Sequence, residues 1–439
     1  MNAKVRGAGR LLLIGVLGLA VFATAAAYAG GGSTTRATAA CPSVDASNKT
    51  LNLVLIPSPS ADAIQKFIPA FKKANPGVQV HVDMIDYGTA HQKELLSIRQ
   101  KAGAWDIAQF DNTYLTPFGA GKLMTPLDGC VKTSKAYDIS DFSKGQRDYG
   151  KYAGTTYGLT LSTEPMIQWY RTDIYKKLGL RPARTWTEFL SNAKKVKASG
   201  LGDGAIMGWG PNVDWWWWAV QWSMGGHLYD KSCTSMVDSA AGIKGAQYLK
   251  SLLPYGPKGG ISANGDDVAI KFLSQDIGAM IQYSGYYGFT LDPKTNKNFG
   301  KIGTAKMPIG GTDATHLAGW NIGIPADAKN PGLAWKFLEF VLGKANAKRY
   351  LATGAAAIGR KSITTDKALL AKQPYLRLLT IPPTSRIERY PQLKSFPEYD
   401  KATVDALGNI MTGKVSPQAG LKTLQGKLST ILKGEGGHC

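Results

Sequence analysis

The sequence predicts an α/β protein, because short apolar strands alternate with amphipathic helices along the chain. Near the start of the folded region, LNLVLIP, VQVHVDMID and WDIAQFD are predicted strands, and ADAIQKFIPAFKKANP and HQKELLSIRQKAG are the predicted helices between them. In the first of these helices, apolar residues recur at helical spacing at Ile64, Phe67, Ile68 and Phe71. Strand–helix–strand units of this kind indicate right-handed crossovers and an open sheet.

The same alternation returns further along the chain. TWTEFLSNAKKVKASG predicts a helix, and DIGAMIQYSG and WNIGIP predict buried strands. Residues 330–354 predict one long amphipathic helix that begins with Pro331, and a Lys-rich helical region is predicted from Tyr399 to Leu432. With 439 residues, the chain has room for two or three domains or for one large two-lobed unit.

The N-terminal segment predicts a secretory signal peptide over residues 1–29. A basic start is followed by an apolar run from Leu11 to Ala27, and Ala27-Tyr28-Ala29 supplies small residues for cleavage after Ala29. An uncleaved membrane anchor is the alternative, since the run approaches spanning length. The Gly-, Ser-, Thr- and Ala-rich residues that follow predict a disordered leader over 30–48. The mature protein is therefore expected to be soluble and exported, in a periplasmic or extracytoplasmic location.

The chain carries 52 Lys and Arg against 31 Asp and Glu, which gives a formal net charge of +21. An excess of this size suggests nucleic acid, an anionic surface or an acidic ligand as the partner. The basic residues are dispersed over predicted helix faces, and the chain is predicted to be exported. We therefore expect no nucleic-acid partner, and we assign the excess charge to the outer surface.

Export permits disulfides, and the chain has four cysteines, Cys41, Cys130, Cys233 and Cys439. Three pairings are possible, and the sequence does not choose among them. A lipid anchor at Cys41 is not expected, because residues 30–38 separate this cysteine from the apolar run.

Motifs for nucleotide, metal and nucleophile chemistry are absent from the sequence. There is no GxxxxGK[ST], no GxGxxG between a strand and a helix, no GxSxG and no HxxxH. None of the cysteines lies in a CxxC pair. We therefore expect neither a metal nor a cofactor, and we do not expect an enzyme.

Aromatic residues form the most distinctive local pattern. WGPNVDWWWWAVQW contains four consecutive tryptophans, residues 215–218, and on a helix these would point in every direction. Some of them are therefore expected at a cleft, where aromatic faces suit the C–H faces of sugars or could stack on bases, although core packing is an alternative for each. A second group, YSGYYGF, follows a predicted strand, and a third is Gly319-Trp320-Asn321.

Two carboxylates are candidates for contact with a ligand. Asp111 follows WDIAQF and is expected at the carboxyl end of a strand, where open α/β sheets bind ligands. Glu164 lies between two apolar segments. A helix cap at Asp111 and a solvated loop position at Glu164 are the alternatives. Each carboxylate could accept hydrogen bonds from sugar hydroxyls without any catalytic step.

Six segments resemble, in order, the bacterial extracellular solute-binding proteins of the maltose-binding-protein type, which are the capture subunits of ABC importers. They are FIPAFKKANPGVQVHV, WDIAQFDNTYLTPFGAGKLMTPLD, GKYAGTTYGLTLSTEPMIQWYRTDIYKKLGL, TWTEFLSNAKKV, GAMIQYSGYYGF and GWNIGIPADAKNPGLAWKFLEFVLG. The resemblance covers most of residues 50–435. It implies a two-lobed periplasmic binding protein fold, in which each lobe is an open sheet with flanking helices and a hinged cleft lies between them.

The resemblance also implies where the chain crosses between lobes and which residues bind the ligand. Lobe 1 is expected over 49–162 and 305–357, and lobe 2 over 163–304 and 358–439. The residues implied as ligand-binding are Ser58, Ser60, Asp111, Glu164, Trp215, Ser284, Tyr286, Tyr287, Trp320, Arg360 and Tyr399. Tyr occupies the position where the family usually has Trp after Gly-Ser or Gly-Pro, and Pro397 replaces a stacking aromatic near Tyr399.

The function implied is capture of a mono- or oligosaccharide or polyol by lobe closure, followed by delivery to the permease subunits of an ABC transporter. A monomer is expected. Two alternatives remain open: a secreted carbohydrate-active enzyme that uses Asp111 and Glu164, and the same scaffold binding an anionic ligand, such as a uronate oligomer or an organophosphate, through Arg360.

Overall fold

The computed structural model describes residues 40–381 and 384–436. The predicted signal peptide, residues 30–39 of the predicted leader and Cys439 lie outside this part of the chain. Among the described helices, none combines the length and the apolar character needed to cross a membrane.

Two main sheets and one short hairpin contain all the named strands of the described residues. The strands are β1 (Thr50–Leu55), β2 (Gln79–Met84), β3 (Ile107–Asp111), β4 (Lys151–Tyr152), β5 (Thr155–Thr156), β6 (Leu159–Thr160), β7 (Glu164–Arg171), β8 (Asp203–Ile206), β9 (Ile277–Tyr283), β10 (Ile302–Lys306), β11 (Ala314–Ala318), β12 (Trp320–Gly323) and β13 (Arg386–Glu388).

Helices flank both sheets, and the α/β class predicted from the sequence is confirmed. They are α1 (Pro59–Ala74), α2 (Tyr87–Arg99), α3 (Leu115–Ala120), α4 (Asp128–Thr133), α5 (Lys144–Arg147), α6 (Thr172–Lys177), α7 (Trp186–Ala198), α8 (Val213–Ser223), α9 (Ala240–Leu252), α10 (Gly265–Ser274), α11 (Pro331–Leu342), α12 (Ala347–Ala352), α13 (Lys361–Thr364), α14 (Lys367–Lys372), α15 (Phe396–Met411) and α16 (Pro417–Lys433).

The first sheet has the strand order β2-β1-β3-β12-β6. Strand β1 pairs in parallel with β2 and β3, as the strand–helix–strand pattern predicts, whereas β12 runs antiparallel to β3 and β6. Helices α1 and α11 pack together over this sheet, with Phe71 and Phe337 edge to face at 5.0 Å between ring centroids. The core therefore combines residues from distant parts of the chain.

The second sheet has the order β13-β11-β7-β9-β8, and β10 also pairs with β7. Its central strand, β7, is antiparallel to β9, β10 and β11. Helix α8 is covered by α9, α15 and β11, so that most of its circumference faces protein. For this reason Trp216, Trp217 and Trp218 are fully buried, and Trp215 is the member of the four-Trp run that is partly exposed.

Two connections between the sheets lie directly against each other. The chain leaves the first sheet at β6 and enters the second at β7, and it returns from β11 to β12 through Gly319. A Cβ atom at Gly319 would lie 2.2 Å from the Ser162 carbonyl oxygen, and its φ is +150°, so that glycine is required here. The resemblance placed the return to the first lobe at residue 305. In the structure the chain reaches the first sheet only after β11, because β10 and β11 both pair with β7 of the second sheet.

One predicted long helix is interrupted in the structure, and the predicted C-terminal helical region consists of two helices. Residues 330–354 form α11 and α12 with a short 3-10 segment between them, since the chain is extended at Gly343. The C-terminal region forms α15 and α16, separated where Gly413 adopts a positive φ and Pro417 begins the next helix.

Cys41 and Cys130 form a disulfide that ties the start of the described chain to α4. A crosslink between residues 89 positions apart removes much conformational freedom from the unfolded chain.

We predict that the double change Cys41→Ser/Cys130→Ser lowers the free energy of unfolding by roughly 4 kcal/mol, because the unfolded chain regains that freedom. The midpoint of thermal unfolding, followed by circular dichroism, measures the effect. Cys41→Ser alone is the control and should lose the same stability, because either change removes the same bond. An unchanged midpoint in the double variant would contradict the prediction.

Candidate functional site

A cavity of about 260 Å³ lies between residues that follow strands of the first sheet and residues that follow strands of the second. The first sheet contributes the turn after β1, the end of β3 and the start of β12. The second contributes the start of β7, the segment after β9, and the first turns of α8 and α10. The carboxyl ends of strands in open α/β sheets commonly form ligand sites of this kind.

Seven of the residues predicted from the sequence line this cavity. They are Ser58, Ser60, Asp111, Glu164, Trp215, Tyr286 and Trp320. Ser58 and Ser60 lie at the start of α1, where the Ser58 hydroxyl caps the helix by accepting from the Ala61 N–H at 3.2 Å. Five separate regions of the sequence therefore converge with α1 on one volume.

Asp111 is the last residue of β3 and is held in place by hydrogen bonds from two elements. The Thr113 backbone N–H donates to Asp111 Oδ1 at 2.8 Å, and the Thr113 hydroxyl donates to the same oxygen. The Tyr87 hydroxyl, from the first turn of α2, donates to Oδ2. The carboxylate thus caps the short helix that follows it and also faces the cavity, which combines the two roles that the sequence left as alternatives.

Glu164, the first residue of β7, lies where the chain passes between the sheets. Its Oε1 accepts a hydrogen bond from the Ser162 hydroxyl at 2.5 Å, and the residue is only 8% exposed. Burial raises the pKa of Glu164 to about 7, although the Ser162 bond acts in the opposite direction. Near neutral pH this carboxyl therefore exists in both protonated and ionised forms.

Aromatic rings form much of the remaining wall. Trp215, from the first turn of α8, packs against Tyr283 and Tyr390 with ring centroids 5.8 and 6.1 Å apart. Trp320 lies edge to face with Tyr87 at 6.0 Å. Tyr286 donates its hydroxyl to Asp266 Oδ1 at 2.6 Å, at the first turn of α10. Polar groups and flat apolar faces thus alternate around the cavity.

Two predicted residues of the YSGYYGF segment do not line the cavity. The segment forms a 3-10 helix, Ser284–Leu291, which turns its residues in different directions. Tyr287 stacks on Tyr375 at 4.0 Å instead, and Ser284 is 1% exposed. Of the three residues predicted at this turn, Tyr286 alone lines the cavity.

Arg360 and Tyr399 are also placed away from the cavity. Arg360 is fully buried, donates to the Tyr137 and Leu342 carbonyl oxygens, and pairs with Asp141 at 3.3 Å. A buried guanidinium needs such partners, which hold it inside the first sheet's side of the protein. Tyr399 is fully buried in α15. The Tyr399 ring lies on the buried face of this helix and packs in the hydrophobic core.

Several cavity residues were not identified from the sequence. They are Tyr87, Asn212, Asn264, Asp266, Tyr283, Phe289 and Tyr390. Asn264 and Asp266 stand at the start of α10, where Asn264 caps the helix, so a helix-start signal was present in Asn-Gly-Asp-Asp. Tyr390 follows β13, a three-residue strand that its sequence pattern does not predict.

A pair of acids lies behind Trp215. Asp214 of α8 is fully buried, and its carboxyl interacts directly with that of Asp400 in α15. Burial raises the pKa of Asp400 to about 6 and that of Asp214 well above its usual range. The two carboxyls therefore titrate as a coupled pair, at a higher pH than exposed aspartates do.

The profile of the family described as bacterial extracellular solute-binding protein matches residues 57–348. This match spans more than half of the chain, so the protein belongs to that family, and the resemblance seen in the sequence is confirmed.

Known proteins of this class share both sequence and fold with the chain. The mannitol-binding protein of Pseudomonas aeruginosa is 24% identical over 363 residues, covering 80% of this chain and 82% of that protein. The solute-binding protein of an ABC transporter from Agrobacterium radiobacter, in complex with ribitol, has a TM-score of 0.79 at 24% identity, covering 89% and 100% of the two chains. Maltose-bound MalE3 of T. maritima has a TM-score of 0.78 at 18% identity, covering 87% and 99%. The predicted two-lobed binding-protein fold is thus confirmed.

We predict that Asp214→Asn reduces the dependence of stability on pH. An acid whose pKa is raised by folding stabilises the fold fully below its unfolded pKa, near 4, and this contribution is lost as the pH rises through the folded value, about 6 for Asp400. Each proton involved changes the free energy of unfolding by about 1.4 kcal/mol per pH unit. The Asn amide carries no charge and can still donate to Asp400.

Thermal midpoints measured between pH 4.5 and 8 test this expectation. Asp405→Asn is the matched control, because Asp405 is an exposed acid on α15, the helix that contains Asp400. This control should keep the wild-type dependence of stability on pH. An equal dependence on pH in the wild type and Asp214→Asn would contradict the coupled titration of the pair.

Proposed function

We propose that this protein captures a small polyol or monosaccharide outside the cytoplasm and delivers it to an ABC importer. The observation that carries the proposal is the cavity itself, which combines hydrogen-bonding carboxylates with aromatic faces from both sheets. Carboxylates accept hydrogen bonds from hydroxyl groups, and aromatic rings suit the C–H faces of the same molecules. Relatives described as binding mannitol and ribitol support this assignment.

The size of the cavity favours one small ligand. The cavity has a volume of about 260 Å³. That space suits a pentitol, a hexitol or a single sugar ring, and an oligosaccharide would have to extend beyond it. The ligand class is therefore narrower than the mono- or oligosaccharide expected from the sequence.

An anionic ligand is not supported by the lining residues. No Lys, Arg or His belongs to the cavity wall in the described part of the chain, and Arg360 is held elsewhere by Asp141. Recognition of phosphate or carboxylate groups normally uses such cations. The cavity wall therefore offers no basic side chain that would bind the anionic group of a uronate or an organophosphate.

Lobe closure is the proposed binding step. We assign β1, β2, β3, β6 and β12 to one lobe and the second sheet to the other, with hinges at residues 161–163 and at Gly319. Gln392 donates to Asn112 Oδ1 at 2.8 Å, and Arg389 donates to the Gly145 carbonyl oxygen at 3.0 Å. These contacts join the two lobes beside the cavity and would have to break on opening.

Export is part of the same proposal. The disulfide between Cys41 and Cys130 is typical of an oxidising compartment and supports the predicted signal peptide. It also uses the sulfur that a lipid anchor at Cys41 would require, which favours an unanchored monomer. The permease subunits of an ABC transporter are the proposed partners, and no chemical step is involved.

Binding of ribitol, mannitol and glucose, measured by calorimetry, tests the function. We expect a dissociation constant in the micromolar range or below for at least one of these ligands. At one hundred times that concentration, the ligand should raise the free energy of unfolding by about 2.7 kcal/mol. No binding and no shift of the melting temperature across a wide sugar and polyol panel would refute the proposal.

Variants of the cavity wall should separate binding from folding. Trp215→Ala should weaken binding by roughly 30-fold or more, as expected for a buried aromatic contact, and Asp111→Asn by about 10-fold or more. Tyr287→Phe is the matched control, because Tyr287 neighbours Tyr286 in sequence but stacks outside the cavity. It should bind as the wild type does.

A further inference from the structure

The cavity has a local charge opposite to that of the whole protein. Asp111, Glu164 and Asp266 line it, and no basic side chain of the described residues does so. The chain as a whole has a formal net charge of +21. Dispersed surface cations account for that excess, so the ligand meets a negative site inside a positive protein.

The groups next to the wall do not supply the missing positive charge. Asp400 lies close enough to Asp111 and Tyr87 to act on them electrostatically. His91 is paired with the buried Glu94 at 3.2 Å and is stacked on Tyr114. These groups add carboxylates behind the wall, and the His91 imidazole is already matched by a carboxyl. A second imidazole, His316, lies against the wall residues Tyr283 and Tyr390, but burial lowers its pKa to about 3, so it is neutral.

Arg389 approaches from the second lobe but is directed elsewhere. Its guanidinium lies over the Tyr149 ring, 4.9 Å from the centroid, and donates to the Gly145 carbonyl oxygen. The positive ends of α1 and α10 are likewise engaged, because Ser58 and Asn264 accept from N–H groups of their own helices. No cationic side chain of the described residues is therefore directed into the cavity.

Of the two buried carboxyls in this wall, Glu164 has fewer named hydrogen bonds than Asp111, because only Ser162 donates to it. The tyrosines that act on it electrostatically all have raised pKa values, so they remain neutral; they are Tyr149, Tyr283, Tyr286, Tyr350 and Tyr375. A buried carboxylate without a cation is costly, and a protonated amine placed beside it would remove that cost. Trp215 and Trp320 add ring faces that attract cations.

We propose that the physiological ligand is an amino sugar or amino-substituted polyol, whose ammonium group lies against Glu164 between the aromatic walls. This inference rests on the proposed function, since it names the ligand class of the same cavity. It differs from that function in requiring a positive charge on the ligand in addition to hydroxyl groups.

The test uses matched ligands in which an amino group replaces one hydroxyl group or is itself acetylated. Glucosamine is compared with glucose and with neutral N-acetylglucosamine, and 1-amino-1-deoxysorbitol is compared with sorbitol, by calorimetry at pH 7. We expect each amine to bind at least 10-fold more tightly than its hydroxyl counterpart, and we expect N-acetylation to abolish that advantage. Calorimetry in two buffers of different ionisation enthalpy should show net release of protons when the amine binds, because Glu164 becomes ionised.

Glu164→Gln tests the named residue while keeping its shape. The variant should lose most of the preference for amines and the release of protons. The measured quantity is the ratio of the amine and neutral affinities within each variant, so a general loss of affinity leaves the test valid. Asp405→Asn, an exposed acid remote from the cavity wall, is the matched control and should keep the preference. Its melting temperature and that of Glu164→Gln show whether each variant is folded.

The outcomes distinguish the two proposals. Equal or weaker binding of the amines, with intact binding of the neutral ligands, overturns the inference and leaves the proposed function standing. A preference for amines that survives in Glu164→Gln also overturns it, because another group would then recognise the charge. Absence of binding by any sugar, polyol or amine refutes both.

Discussion

The contact between the two connecting segments, at Ser162 and Gly319, determines how the rest of the protein is arranged. Two of the three passages between the sheets meet there, and the Trp320 carbonyl oxygen accepts from the Leu161 N–H at 2.8 Å and from the Ser162 N–H at 3.2 Å. Any side chain at residue 319 would separate these segments. Because Glu164 and Trp320 directly follow them, the same contact fixes two walls of the cavity, and the proposed hinge and the proposed binding surface share one short stretch of backbone.

The fold class could be predicted because its signals are local. Apolar runs of strand length, helices opened by Ser58 or Thr185 and a stop at Asn75-Pro76-Gly77 each depend on neighbouring residues. The order of the strands depends on contacts between distant residues instead. For this reason the late return to the first sheet was not predicted. Only their pairing with β7 assigns β10 and β11 to the second sheet rather than the first. The break of the predicted long helix at Gly343 likewise reflects local backbone geometry that periodicity does not report.

The candidate site was predictable where a residue ends a strand or begins a helix, as Asp111, Glu164 and Trp215 do. It was not predictable where burial decides the outcome. Arg360 shows this difference: its charge suggested a ligand contact, but its guanidinium satisfies carbonyl oxygens of the interior. The Trp run shows the same effect, because packing of α9, α15 and β11 around α8 leaves room for one exposed ring only. Sequence identifies the chemistry of a side chain, and packing decides where that chemistry acts.

The position of the charges links the surface to the site. A formal net charge of +21 would repel a cationic ligand if it were expressed at the cavity, but charges separated by more than about 8 Å of salt solution are largely screened. Carboxylates in the wall act at contact distance and in a medium of lower polarity than water, where each interaction is stronger. In the proposed site the local acids act on the ligand, whereas the dispersed cations influence the outer surface. Net charge is therefore a poor guide to ligand charge, because affinity is set by the groups within the first few ångströms of the ligand.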